Sequence, residues 1–218
     1  GRDLAPGVRT EFGELLRARQ LLITRSVEDA EQAIEHLQRA LTLDPNYALA
    51  YARLADAILI QAESTTGIKA ARPAVAPLLE KALALDPDLG EAYALRSMLT
   101  DDAVQAERDL RRGLELNPSY ARGYEMLANL TLASLVRADV ALDAIDRAIA
   151  LDPLTPGNFH TKAALMMQQG KWPEVIELER RTLELNPDFR AAILQLAIIH
   201  AVVGNFAEAI DYAERAVE

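Results

Sequence analysis

The chain has 218 residues, a net charge of −10, 50% hydrophobic residues and no cysteine. That apolar fraction excludes a disordered chain, and the missing thiols exclude a disulfide or thiolate–zinc scaffold. The acidic balance argues against nucleic acid and against an anionic membrane surface, which both call for clustered Lys and Arg. Alanine (39 residues) and leucine (34) make up a third of the sequence, and aromatics only 5%, a composition that points to an all-α fold. No apolar run is long enough to cross a bilayer; the longest near the end, residues 191–203, is broken by Gln195 and His200.

In chain order, residues 1–12, with Pro6 and Gly7, read as a linker or arm, and residues 13–218 as one repeat array without an internal domain boundary. Helical periodicity then alternates with a recurring stop. Leu-Asp/Asn-Pro occurs as Leu43-Asp44-Pro45, Leu85-Asp86-Pro87, Leu116-Asn117-Pro118, Leu151-Asp152-Pro153 and Leu185-Asn186-Pro187, with proline spacings of 42, 31, 35 and 34. Proline ends the preceding helix and disfavours α geometry at the residue before it. The Asp or Asn suits the turn and is expected to accept from the next helix's free N–H groups. Six helix pairs follow, at about 14–45, 46–87, 88–118, 119–153, 154–187 and 188–218.

The 42-residue spacing implies about eight extra residues, placed in a long loop at 62–69 around Ser64-Thr65-Thr66-Gly67. The helix after it is expected to start late, because Pro73 and Pro77 suit only a first turn. The 31-residue spacing implies a shortened turn at Thr100-Asp101-Asp102, with an Asp as N-cap. Small residues recur two turns apart in each second helix, as Ala33/Ala40, Val75/Ala82, Ala106/Gly113, Ala141/Ala148, Val175/Thr182 and Ala209/Ala216. Ala55, Ser97, Ala128, Ala163 and Ala197 match them in the first helices, and Leu37, Leu79, Leu110 and Ile145 fill the grooves. Leu21 in a small position and Glu179 in a large apolar one predict looser packing at both places.

Tyr51 with Leu54-Ala55, Tyr124 with Leu127-Ala128, and Gly204-Asn205-Phe206-Ala207-Glu208-Ala209 complete a pattern that resembles the tetratricopeptide repeat (TPR) family. The resemblance spans nearly the whole chain. It implies a right-handed α-solenoid of about six helix pairs, without catalysis or cofactor, whose first helices line a concave groove for a peptide or partner helix. Projected onto that groove are Arg53, Asp56, Met98, Arg122, Glu125, Asn129, His160, Gln168 and Gln195, interspersed with Leu49, Leu59, Met167, Leu194 and Ile198. A carboxylate clamp is not expected, since Ala18, Leu22, Arg53, Glu91 and Leu95 stand at its places. A narrower likeness links Leu15-Leu16-Arg17-Ala18 and the Val27-Glu28-Asp29-Ala30 stretch to bacterial TPR regions that follow adenylate-cyclase or ToxR-type winged-helix domains. It implies a sensory or docking segment of a larger signalling protein, in the cytoplasm, or in the periplasm if that protein is a membrane-anchored regulator.

The chemistry of enzymes is missing from this pattern. His36, His160 and His200 lie in different repeats without zinc spacing, and no Gly-rich phosphate loop or Gly-x-Ser-x-Gly occurs. His36 reads as a solvated residue and His200 as a partly buried one. The expected partner is a protein or peptide. The last pair is also expected to be sticky: it holds Ala192, Leu196, Ile199, Ile210, Ala213 and Val217, some of which must face where a further repeat would stack, which offers a route to a homo-oligomer.

Overall fold

The computed structural model describes residues 10–23, 26–132 and 137–217. Among them are twelve α-helices, one 3-10 turn and no strand. The helices form six consecutive pairs: α1 (Glu11–Leu21) with α2 (Val27–Leu43), α3 (Ala48–Ser64) with α4 (Ile68–Leu85), α5 (Gly90–Arg96) with α6 (Ala103–Leu116), α7 (Ala121–Leu132) with α8 (Ala138–Leu151), α9 (Pro156–Gln168) with α10 (Trp172–Leu185), and α11 (Arg190–Val202) with α12 (Phe206–Arg215). The 3-10 turn, Ser97–Leu99, prolongs α5. Two compact units contain them, Gly1–Pro118 with α1–α6 and Ser119–Glu218 with α7–α12. The first helix begins at Glu11, capped by Thr10, whose hydroxyl accepts from Gly13 N–H at 3.0 Å. Positions 11 and 12 of the expected arm are therefore helical, and residues 1–9 lie outside the described residues.

The Leu-Asp/Asn-Pro tripeptide works by a backbone and a side-chain bond together. The N–H of Asp44, Asp86, Asn117, Asp152 and Asn186 closes the last helical turn on the carbonyl four residues back, at 2.8–2.9 Å. Four of these side chains then accept from the N–H two residues on, as Asp44 does from Asn46 (2.9 Å) and Asp86 from Asp88 (3.0 Å). That N–H belongs to the turn and not to the next helix, so the motif is an Asx turn and not the N-cap anticipated. Tyr51 and Tyr93 close the same turns, donating to the carbonyls of Pro45 (3.2 Å) and Pro87 (3.1 Å).

In the first unit, Leu15, Ala18, Ala33, Leu37, Ala40, Leu54 and Ala57 form one core cluster, and Ala55, Leu59, Val75, Leu79, Ala82, Ala92 and Leu95 the next. In the second, Ala163, Met166, Val175 and Ile199 pack with half-buried Met167, Trp172 and Leu178. The small second-helix residues are all buried, as the repeat pattern demands. The third pair approaches closely through two glycines: a Cβ on Gly113 would stand 2.6 Å from the Gly90 carbonyl oxygen, and one on Gly90 2.5 Å from that of Gly113.

The extra length of the second pair is not in a loop. Only residues 65–67 separate α3 from α4, as many as separate α9 from α10 and α11 from α12. The surplus lengthens α3 to 17 and α4 to 18 residues. Gly67 lets the chain reverse in so short a turn, at φ +84°. Helix α4 does not start late either. Pro73 and Pro77 lie inside it, both exposed, so the carbonyls they leave without an N–H partner can turn to water. The 31-residue spacing is met by a first helix cut to seven residues, with Asp102 capping α6 through Val104 N–H (2.9 Å) and Gln105 N–H (3.2 Å).

Candidate functional site

The projected groove residues fall into two groups, one in each unit. In the first, Arg53 of α3 faces Asp56 one turn along (3.8 Å) and Glu91 of α5 (3.6 Å), so a charged cluster links neighbouring first helices. Asp56 is buried, and Met98 is half-buried against the α3–α4 core. Leu49 is half-buried and Leu59 fully buried in the core. Leu59 therefore does not line a surface, because it packs into the core cluster with Val75 and Leu79 of the neighbouring α4.

In the second unit, α7 and α9 are bonded side by side. Thr161 donates to Asn129 Oδ1 at 3.3 Å, and Gln168 Nε2 donates to the Leu132 carbonyl at 3.2 Å. Both groove residues, Asn129 and Gln168, stay exposed while helping to fix the spacing of the first helices; Arg122 and Glu125 of α7 are half-buried. Helix α11 adds half-buried Gln195, whose buried Nε2 has no hydrogen-bond partner among the described residues. Beside it, Leu194, Ile198 and Val202 stand at i, i+4 and i+8, exposed by 45%, 62% and 61%. Three large apolar side chains on one stripe of a helix are the surface a partner helix or extended segment covers.

His160 belongs to a different arrangement. Its Nδ1 lies 2.8 Å from Oε1 of Glu179 on α10, and its ring tilts against Phe189 at 5.3 Å. Glu179 is fully buried. Burial pushes its carboxyl above the ordinary 4.5, against the opposing pull of His160 and of the Thr182 hydroxyl. The apolar place is thus filled by a bonded polar pair. A similar pair stands in the first repeat, where buried Glu14 of α1 meets His36 Nδ1 of α2 at 2.6 Å and Arg17 at 2.9 Å. His36 is accordingly not a solvated side chain, since the α1 carboxylate needs a partner. His200 is almost completely buried, stacked on Tyr212 at 5.6 Å. No spacing rule signals the two His–Glu pairs, because each joins residues about 20 positions apart on two helices.

The described residues contain no group of three or more His, Cys, Asp and Glu able to hold a metal ion, and no helix long and apolar enough to cross a membrane.

A family model described as tetratricopeptide repeat matches residues 22–47, which span α2 and the turn after it. Residues 22–47 carry a tetratricopeptide repeat. Solved structures extend the likeness in fold to nearly the whole chain. A thermophilic TPR protein from Thermus thermophilus aligns with a TM-score of 0.64 and 21% identity, over 87% of this chain and 98% of its own. Human IFIT1, solved as a dimer with m7Gppp-AAAA, aligns with a TM-score of 0.77 and 19% identity, over 95% of this chain and 50% of its own. By sequence, 84 residues are 34% identical to the human protein O-mannosyl-transferase TMTC1. They cover 37% of this chain, which spans a tenth of that protein's length and half of IFIT1's. The fold is thus an all-α helical-repeat fold of TPR type, an architecture that suits a protein-interaction scaffold.

Proposed function

We propose that the protein is a non-enzymatic binding module whose first helices hold a peptide or a helix of a protein partner. The observation that carries this reading is the exposed stripe Leu194, Ile198 and Val202 on α11, beside the unpartnered amide of Gln195. An apolar segment of a partner would bury the stripe. The hydrogen bonds between α7 and α9 hold Asn129 and Gln168 in place before binding, so the ordering cost falls on the partner. The net charge of −10 makes nucleic acid an unfavourable partner.

The test is affinity capture with the whole chain beside its Ile198→Asp variant, with bound proteins identified by mass spectrometry and confirmed by direct titration. A specific partner should bind the wild type and lose at least about tenfold with the variant. The melting temperature should hold, since exposed substitutions move stability by under about 0.5 kcal/mol. A partner that binds both forms equally would move the site away from α11.

A second reading, a regulatory or self-associating segment of a larger signalling protein, rests on exposed Phe206, Ile210 and Val217 in and after α12.

A further inference from the structure

A cavity of about 600 Å³ opens inside the first unit between α4, the end of α5 and α6. Its origin can be read from the repeat. Counting back from the closing prolines, Leu78 stands nine residues before Pro87 and Asp109 nine before Pro118. Leu78 packs against the core of the first repeat. Its successor Asp109 cannot fill the same groove, because Arg96 holds the carboxylate through Nε (2.9 Å) and Nη2 (2.7 Å), with Gln105 adding a third bond at 3.0 Å. On the facing helix, Ala76 stands where the first repeat has Ile34. Two large apolar side chains are therefore missing from one groove, and the short α5 leaves it uncovered.

The methyl groups of Leu79, Leu83 and Leu99 line the space that results. Its size lies in the small-molecule range, and its make-up, an apolar lining with a few polar groups, is that of a ligand pocket. Among the polar groups, Arg96 and Asp109 satisfy each other. Arg72 does not share in that: its Nε is buried without a hydrogen-bond partner, and Nη2 reaches Asp101 only at 3.4 Å. Asp101 has a nearer cation in Lys69, at 3.1 Å. Glu80, also at the pocket, is exposed, and solvent screens its charge. The most loosely held polarity is thus the Arg72 guanidinium, paired at 3.4 Å with exposed Asp101, beside an apolar cavity.

We infer that this cavity binds a small apolar carboxylic acid, with the hydrocarbon part among Leu79, Leu83 and Leu99 and the carboxylate on Arg72. A guanidinium recognises a carboxylate by paired N–H donors, and partial burial strengthens the pair. None of the groove residues of the proposed protein-binding surface contributes to the pocket, so the two sites can fail separately.

The experiment titrates the whole chain with octanoate, and with 1-octanol as a control of equal chain length and no charge. Wild type should show saturable one-to-one binding of octanoate, at least about tenfold tighter than octanol, because only octanoate forms a charge-assisted bond to the guanidinium. Arg72→Gln should lose that preference, and Ala76→Ile, which restores the first repeat's side chain, should abolish binding. Methyl chemical shifts of Leu83 and Leu99 in unmodified protein give a readout that does not depend on the variants folding. No saturation with wild type, equal binding of octanol, undiminished binding by either folded variant, or shifts that spare both leucines would each overturn the assignment.

Discussion

Glu179 occupies the row that holds Leu37, Leu79, Leu110 and Ile145 in the preceding repeats, and it is as buried as they are. Its carboxyl is raised above the ordinary 4.5 by burial. Below that value it is protonated in both the folded and the unfolded chain. As pH rises, the unfolded chain releases the proton first, the folded protein keeps it, and this group's contribution to stability falls until the folded carboxyl ionises as well. Glu179→Gln removes the titration and nearly preserves the volume. The stability of the variant relative to wild type, measured by urea unfolding, should therefore climb as pH rises above 4.5; a flat or falling difference would show that the buried carboxylate is fully compensated by His160. Gly113 poses the opposite problem of too little space. In most repeats the equivalent place takes alanine, but here the Gly90 carbonyl leaves no room for a Cβ. Gly113→Ala should thus destabilise by about 1–3 kcal/mol despite alanine's better helix propensity, and a raised melting temperature would mean that α5 and α6 slide apart freely.

At the scale of elements, the repeat rhythm was legible because proline, Asx turn and small residues all recur in phase. The twelve helices and the six pairs follow from that. What the sequence concealed was how a change in repeat length is absorbed. Ser64-Thr65-Thr66-Gly67 has the composition of a loop, yet three residues suffice for the turn once Gly67 adopts positive φ, and added α3 and α4 packing outweighs the loop preference of Ser64. The same competition carried α4 through two prolines. The groove residues were harder still to place, since whether Leu59 or Ile198 meets solvent depends on the neighbouring helix and not on its own period. The α4 reading has a direct test. Pro77 withholds an N–H in the helix interior on an exposed face. An interior proline costs about 3 kcal/mol, while proline restricts the unfolded chain by about 0.4–1 kcal/mol. Pro77→Ala should therefore stabilise the protein by about 2–2.6 kcal/mol; a loss of stability would mean that packing around the ring dominates.

At the scale of the molecule, two properties of the surface oppose each other. The net charge of −10 keeps copies apart. In and after α12, Phe206 (67%), Ile210 (59%) and Val217 (85%) are exposed and draw them together. Of the residues expected to carry this surface, Ile210, Ala213 and Val217 are exposed, whereas Ala192, Leu196 and Ile199 are buried between the helices of the last pair, so charging Leu196 would break the fold instead of probing an interface. The apolar attraction hardly depends on salt, whereas the repulsion is screened with a Debye length of about 10 Å at 0.1 M and about 3 Å at 1 M. If the α12 surface mediates self-association, the mass measured by light scattering should rise with protein concentration, and more steeply in about 0.5 M salt than in low salt. Replacing Phe206 and Ile210 together with glutamate should hold the protein monomeric at both, with little change in melting temperature. A monomer at every concentration and salt would leave this surface for a different protein, and association that survives the double variant would place the contact elsewhere.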